Sequence, residues 1–265
     1  MTAQPTRRAD YRPPAFLVDT VDLRFELDPK ATIVRSRLAL RRNPAHGEPA
    51  APLRLDGEAL ELLALTLDGA ALSANRYTLH ADGSLEIADL PDDCVLEAVV
   101  KTAPEANSEL SGLYLSGGNY FTQCEAEGFR RITYFPDRPD VMARFTATVV
   151  ADQAACPVLL ANGNPGETGV LSDGRHFARW TDPHPKPSYL FALVAGDLVS
   201  VRDHFATRSG RQVALAIWVR RGDEDRCGHA MAALKTSMKW DEDRYGLEYD
   251  LDVFNIAAVS DFNMG

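Results

Sequence analysis

A zinc centre needs imidazole and carboxylate ligands at a workable spacing, and the histidines of this chain do not supply one. His46, His80, His176, His184, His204 and His229 are scattered, none has a second histidine one helical turn away, and no H-E-x-x-H occurs. Each therefore reads as an isolated surface or packing residue. Nucleophile motifs are missing as well: there is no G-x-S-x-G, and Cys124 has no histidine close by in sequence. Phosphate-cradling motifs are absent too, since Gly163-Asn164-Pro165-Gly166 is a loop and Ser209-Gly210-Arg211 a turn. One segment stands out chemically. Phe121-Thr122-Gln123-Cys124-Glu125-Ala126-Glu127-Gly128-Phe129-Arg130-Arg131 crowds two carboxylates and two guanidiniums into a strand-rich stretch. It is either a solvated loop with weak ion pairs, each worth about 0–1 kcal/mol, or a place where one carboxylate receives a cationic ligand group through a charge-assisted hydrogen bond.

The elements around that segment read as β structure. Val21, Leu23, Phe25 and Leu27 alternate with Asp22, Arg24, Glu26 and Asp28, the period of a half-buried strand, and Ile33 to Leu40 follows as its partner. Asp-Gly or Asn-Gly recurs at 56–57, 68–69, 82–83, 162–163 and 173–174, where the glycine admits the positive φ of a tight hairpin. The pattern predicts hairpins of Tyr77–Ala81 with Ser84–Ile87 and of Val170–Leu171 with His176–Trp180. A long curved sheet or sandwich is thus expected over residues 15–197. Within it, Tyr189–Ala195 is apolar throughout and reads as a strand buried on both faces. Beyond it, Val199–Thr207 and Gln212–Val219 form another predicted hairpin. A single helix is expected between Asp223 and Tyr245, with Ala230, Met231, Leu234, Met238 and Tyr245 on one face and Gly246 ending it. Leu251–Val259 is a last strand. The expected domains are 1–197, mainly β, and 198–265, which holds too little to close a core by itself and reads as the opening of a second, α+β domain.

The 265 residues are 45% hydrophobic and 25% charged, the mix of an ordinary globular protein, which excludes wholesale disorder and a small stapled scaffold. Lys and Arg total 28 against 38 Asp and Glu, a net charge of −10, and the basic clusters are no longer than a pair. That balance argues against nucleic acid or an anionic membrane as partner. The four cysteines, Cys94, Cys124, Cys156 and Cys227, stand far apart and read as free buried thiols. With no apolar stretch approaching the roughly 18 residues of a membrane span and a polar, proline-bearing start, a cytoplasmic protein is expected.

Several blocks in order, Gln123-Cys124-Glu125-Ala126-Glu127-Gly128-Phe129-Arg130, Tyr134-Phe135-Pro136-Asp137-Arg138-Pro139-Asp140-Val141, Pro185 to Asp197, Ser237 to Glu242, Tyr245 to Asp250 and Asp261-Phe262-Asn263-Met264-Gly265, resemble the aminopeptidase N family of zinc metallopeptidases, in particular its bacterial cytosolic branch. The resemblance implies a β-saddle N-terminal domain followed by the start of a thermolysin-like catalytic domain. It implies that Glu125 holds the free α-ammonium of a peptide substrate, that Gln123 lines the pocket for the first side chain, and that Met264 cushions that pocket with its thioether. Only the first glycine of the family's G-A-M-E-N motif is present, as Gly265, and the H-E-x-x-H, the third zinc ligand and the tyrosine that stabilises the tetrahedral intermediate would all follow it.

The expectation is therefore an N-terminal portion of a zinc aminopeptidase, with peptide N-termini as partners and zinc in the parent enzyme. The portion alone would hold no zinc and hydrolyse nothing. Its last strand would expose an unpaired edge prone to self-association. The competing reading is a stand-alone, non-catalytic β-sandwich that binds peptides, with the last sixty or so residues folded back on it.

Overall fold

A computed structural model describes residues 7–262, and these form a mainly β protein. Alternation in the sequence becomes alternation in burial. Along Phe16–Glu26, Val21, Leu23 and Phe25 are essentially inaccessible while the intervening charges face out. This strand lies inside an eight-stranded sheet, paired antiparallel with Thr32–Arg42 and parallel with Met142–Asp152. Outward from Thr32–Arg42 come Asp93–Thr102, Glu61–Leu67 and the short Ala70–Ala71. Outward from Met142–Asp152 come Arg175–Pro187 and Asn164–Val170. A four-stranded sheet (Val158–Ala161, Leu193–Gly196, Asn119–Gln123, Gly112–Ser116) and a three-stranded one (Leu53–Leu55, Leu85–Ile87, Tyr77–Leu79) share one hydrophobic core with the large sheet.

Hairpin chemistry is where the turn residues place it. Tyr77–Leu79 pairs with Leu85–Ile87 around Asp82-Gly83, and Asp82 accepts the Ser84 N–H at 3.0 Å. Asp56-Gly57 departs from that pattern and makes no hairpin. A Cβ on Gly57 would stand 2.3 Å from the Tyr134 ring, so the glycine is there for close packing beneath an aromatic side chain. Asp56 instead bridges to Phe135.

The apolar run Tyr189–Ala195 is only half a strand. Ser188–Leu190 is a 3-10 turn with Leu190 exposed, and Leu193–Gly196 alone enters the four-stranded sheet. The reason is neighbours: Leu193–Gly196 pairs with Val158–Ala161 on one side and Asn119–Gln123 on the other, whereas the preceding residues pair with no strand among the described residues.

Residues 199–257 build a second, smaller core. Val199–Ala206 and Gln212–Val219 form the expected hairpin, and Val253–Ala257 adds in parallel at the edge of a three-stranded sheet. The helix starts later than the sequence suggests, at Gly228, after a 3-10 turn over Glu224–Arg226. It packs Met231, Leu234 and Met238 on Val213, Leu215 and Ile217 and ends at Gly246, whose φ is +70°. Tyr245 is 62% exposed, contrary to its expected place in the core. Glu242 takes the next position along the buried stripe, where it accepts the Arg208 N–H at 3.1 Å at the hairpin turn. Tyr245 lies past that turn and stacks edge-on against Trp240, 5.3 Å between centroids.

Candidate functional site

The site grows from the end of the strand Asn119–Gln123. In the antiparallel ladder Gln123 lies opposite Gly112, and Phe121 opposite Tyr114, so Gln123, Phe121 and Tyr114 project from one face. Gln123 is buried, and its Nε2 donates to the Glu125 carbonyl at 3.0 Å. The chain then turns back sharply. The Gly128 N–H donates to the Cys124 carbonyl at 2.8 Å, and a Cβ at Gly128 would fall 2.2 Å from the Gln123 oxygen. Only glycine permits that approach. The Glu125–Ala126 peptide between them is cis.

Past Gly128 the loop is pinned at two points. Phe129 is inaccessible and enters an aromatic knot, its ring 5.1 Å from Phe135, 5.5 Å from Phe191 and 5.8 Å from Phe145. Such pairs are each worth about 0.5–1.5 kcal/mol beyond the buried area. Arg130 is pinned by charge. Its guanidinium lies 3.2 Å from Glu127, 3.2 Å from Asp137 and 3.8 Å from Asp56. Burial pulls that guanidinium down, and Asp56, Asp137 and Glu127 together carry it above its ordinary value. Asp137 is itself buried, accepting the Arg130 N–H at 3.1 Å and the Ser188 hydroxyl at 2.5 Å. Burial pushes its carboxyl above the usual carboxylate range despite those donors.

Glu125 sits at the crest. It is exposed, and its carboxylate has no hydrogen-bonding or ion-pair partner among the described residues. The other carboxylate of the segment, Glu127, is the one spent on a local ion pair. One carboxylate of the segment is thus paired, and the other has no partner among the described residues. A free carboxylate on a fixed loop can accept charge-assisted hydrogen bonds from a primary ammonium.

Met264 and Gly265 lie outside the described residues. Asp261 is within them and lies on the strand Gly112–Ser116, accepting from the Tyr114 and Ser116 hydroxyls. Beside it runs an apolar cleft of about 400 Å³, lined by Phe121, Thr122, Leu193, Tyr249, Phe254 and Phe262. Asp137, Ser188 and Asp56 were not foreseen as site residues. Asp137 and Ser188 stand 51 positions apart and belong to no periodic pattern, so nothing in their local sequence signals that they meet.

Metal ligation finds no support in these residues. Among the described residues no group of three or more His, Cys, Asp or Glu side chains is placed to hold an ion. His176 is tied to the Cys156 carbonyl at 2.7 Å and His184 faces Asp250 at 3.1 Å, on separate parts of the surface. The residues present do not fit a zinc centre. No helix among them is long and apolar enough to cross a membrane.

Residues 17–190 match the Peptidase M1 N-terminal domain. The chain is 52% identical over 264 residues to Aminopeptidase N of Caulobacter vibrioides and 50% identical over 267 residues to Aminopeptidase N of Escherichia coli; each match takes in 100% of this chain and 30% of the relative. A crystal structure of Legionella pneumophila aminopeptidase A in complex with aspartic acid is similar at 35% identity with a TM-score of 0.92, over 98% of this chain and 30% of that one. The chain therefore spans about 30% of the length of the relatives it matches.

Proposed function

The chain belongs to the peptidase M1 family as its N-terminal portion, and from that premise we propose that it supplies the substrate-recognition side of a zinc-dependent aminopeptidase that removes single residues from peptide N-termini. Glu125 is the receptor for the α-ammonium. The observation that carries this reading is its exposed carboxylate, unpartnered among the described residues, on a loop closed by Gly128 and anchored by Phe129. A peptide whose amine is acylated, or whose chain continues, presents no charge to that carboxylate, and the difference restricts cleavage to the terminal residue. Gln123, held against the same loop, lines the space for the first side chain, and Met264 and Gly265 are assigned to substrate binding on the family resemblance alone.

Residues 198–265 are assigned to the first segment of the catalytic domain. Bound zinc would polarise the scissile carbonyl and activate water in the whole enzyme. The 265 residues contain no H-E-x-x-H, so that chemistry belongs to other residues and this chain alone hydrolyses no peptide. A cytoplasmic location for the whole enzyme belongs to the same proposal.

The test is Glu125→Ala in the full-length enzyme. A charged hydrogen bond of about 1.5–3 kcal/mol predicts a loss in kcat/KM of roughly ten- to a hundredfold on free-amine substrates. Unchanged kinetics would remove Glu125 from the role.

A further inference from the structure

Among the described residues Glu125 keeps its carboxylate unpaired, although Arg130 follows on the same loop. A guanidinium within reach would occupy that carboxylate and compete with any ammonium, since both are donors to the same oxygens. The arginine is instead enclosed by Asp56, Glu127 and Asp137. Of the three, Asp137 alone grips both ends of the residue, accepting from the Arg130 backbone N–H at 3.1 Å and from Nε at 3.2 Å. Its carbonyl takes a third donor, Nη2, at 3.3 Å. Asp137 is in turn oriented by Ser188 on its other oxygen and by its own N–H on Asp56 at 3.1 Å. These partners lie far apart in the chain, so the clamp is a product of the folded domain.

We infer that Asp137 is a positioning residue that reserves Glu125 for the substrate ammonium by holding Arg130 away from it. The inference rests on the assignment of Glu125 as ammonium receptor. Neutralising Asp137 removes the charge that holds one side of the guanidinium, leaving Arg130 to Glu127 and Asp56, both more exposed, and weakening the hold that keeps it from Glu125. The loss falls on binding of the charged amine, and the chemical step keeps its groups. Removing Arg130 removes the competitor.

The experiment is a set of variants in the full-length enzyme, assayed for KM and kcat on a free-amine aminoacyl substrate: Asp137→Asn, Arg130→Gln, their combination, and Glu125→Ala with and without Asp137→Asn. Asp137→Asn is expected to raise KM about tenfold with kcat within about twofold. Arg130→Gln in that background returns KM toward the parent value, and in the Glu125→Ala background Asp137→Asn adds no further loss. A KM for Asp137→Asn equal to the parent's, or a loss that adds fully to that of Glu125→Ala, overturns the proposal. If Asp137→Asn alone does not fold, the double variant decides, because removing both members of a buried pair is milder than removing one. A parent-like KM supports the proposal and a KM as high as that of Glu125→Ala overturns it. A silent Glu125→Ala rejects the ammonium receptor itself, an outcome distinct from failure of the clamp alone.

Discussion

The Tyr114 hydroxyl donates to the backbone carbonyl of Asp261 at 3.2 Å, joining positions 147 apart in the chain. Ser116, on the same face of the same strand, donates to the Asp261 carboxylate. Two side chains thus hold the last described turn against the hairpin that ends in Gln123, and the second core is fastened to the first beside the candidate site. Burial, and then the neighbouring Asp261, raise the Tyr114 phenol above its ordinary value, so it remains a donor throughout the neutral range.

Tyr114→Phe is expected to free this turn while leaving the strand in place. Each lost hydrogen bond of this kind costs about 0.5–1.5 kcal/mol. Amide exchange at 258–262 should quicken in the variant, and more in the double variant with Ser116→Ala. Exchange that stays at the parent rate would show that the bonds do not hold the turn.

Gly128→Ala places a methyl 2.2 Å from the Gln123 carbonyl, a backbone atom that cannot swing aside. The loop must open, and overpacking of this sort costs about 1–3 kcal/mol. The urea midpoint should fall by a matching amount, with the largest amide shift changes at Gln123–Phe129. A variant as stable as the parent would contradict the close approach.

The thiols give a pH dependence with a definite sign. Burial lifts Cys94 and Cys156 from the ordinary 9.0 to about 11, with Asp68 and Asp152 adding to it, and raises Cys124 as well. Folding therefore favours the protonated thiol. That contribution is fully present below about pH 9, where the unfolded thiols are also protonated, and fades as pH climbs from about 9 through 11. A thiol reagent at pH 8 should leave these three cysteines unmodified in the native protein and label them once it is unfolded. Rapid native labelling would refute their burial.

Among the described residues Val253–Ala257 forms the edge of its three-stranded sheet, paired on one side only. An open edge is a template for another strand. Sedimentation velocity on the 265-residue chain is expected to show a dimer fraction that grows with concentration, and a monomer at every concentration would dispose of the idea.

Local chemistry made much of this architecture legible in the sequence. The alternation through Val21, Leu23 and Phe25 fixes which face of a strand is buried, because successive side chains point to opposite sides. Asp82-Gly83 and Gly246 end their elements because positive φ is cheap for glycine. The conspicuous run from Gln123 to Arg130 could likewise be picked out by composition alone. What the sequence could not assign is which of its charges is free. Glu125 and Glu127 are the same residue type two positions apart, and only the folded structure pairs one with Arg130 and leaves the other open.

Asp137 and Asp56 reach Arg130, and Ser188 reaches Asp137, only when Asp56 bridges to Phe135 and the 3-10 turn at Ser188 packs beside them. The same holds for Tyr189–Ala195, which divides into turn and strand according to where neighbouring strands stand ready to accept its backbone hydrogen bonds. Periodicity and turn propensity are set within a few residues of chain and survive in any context. Pairings across 51 or 147 positions depend on how the sheets cross, and that is settled only when the whole core closes.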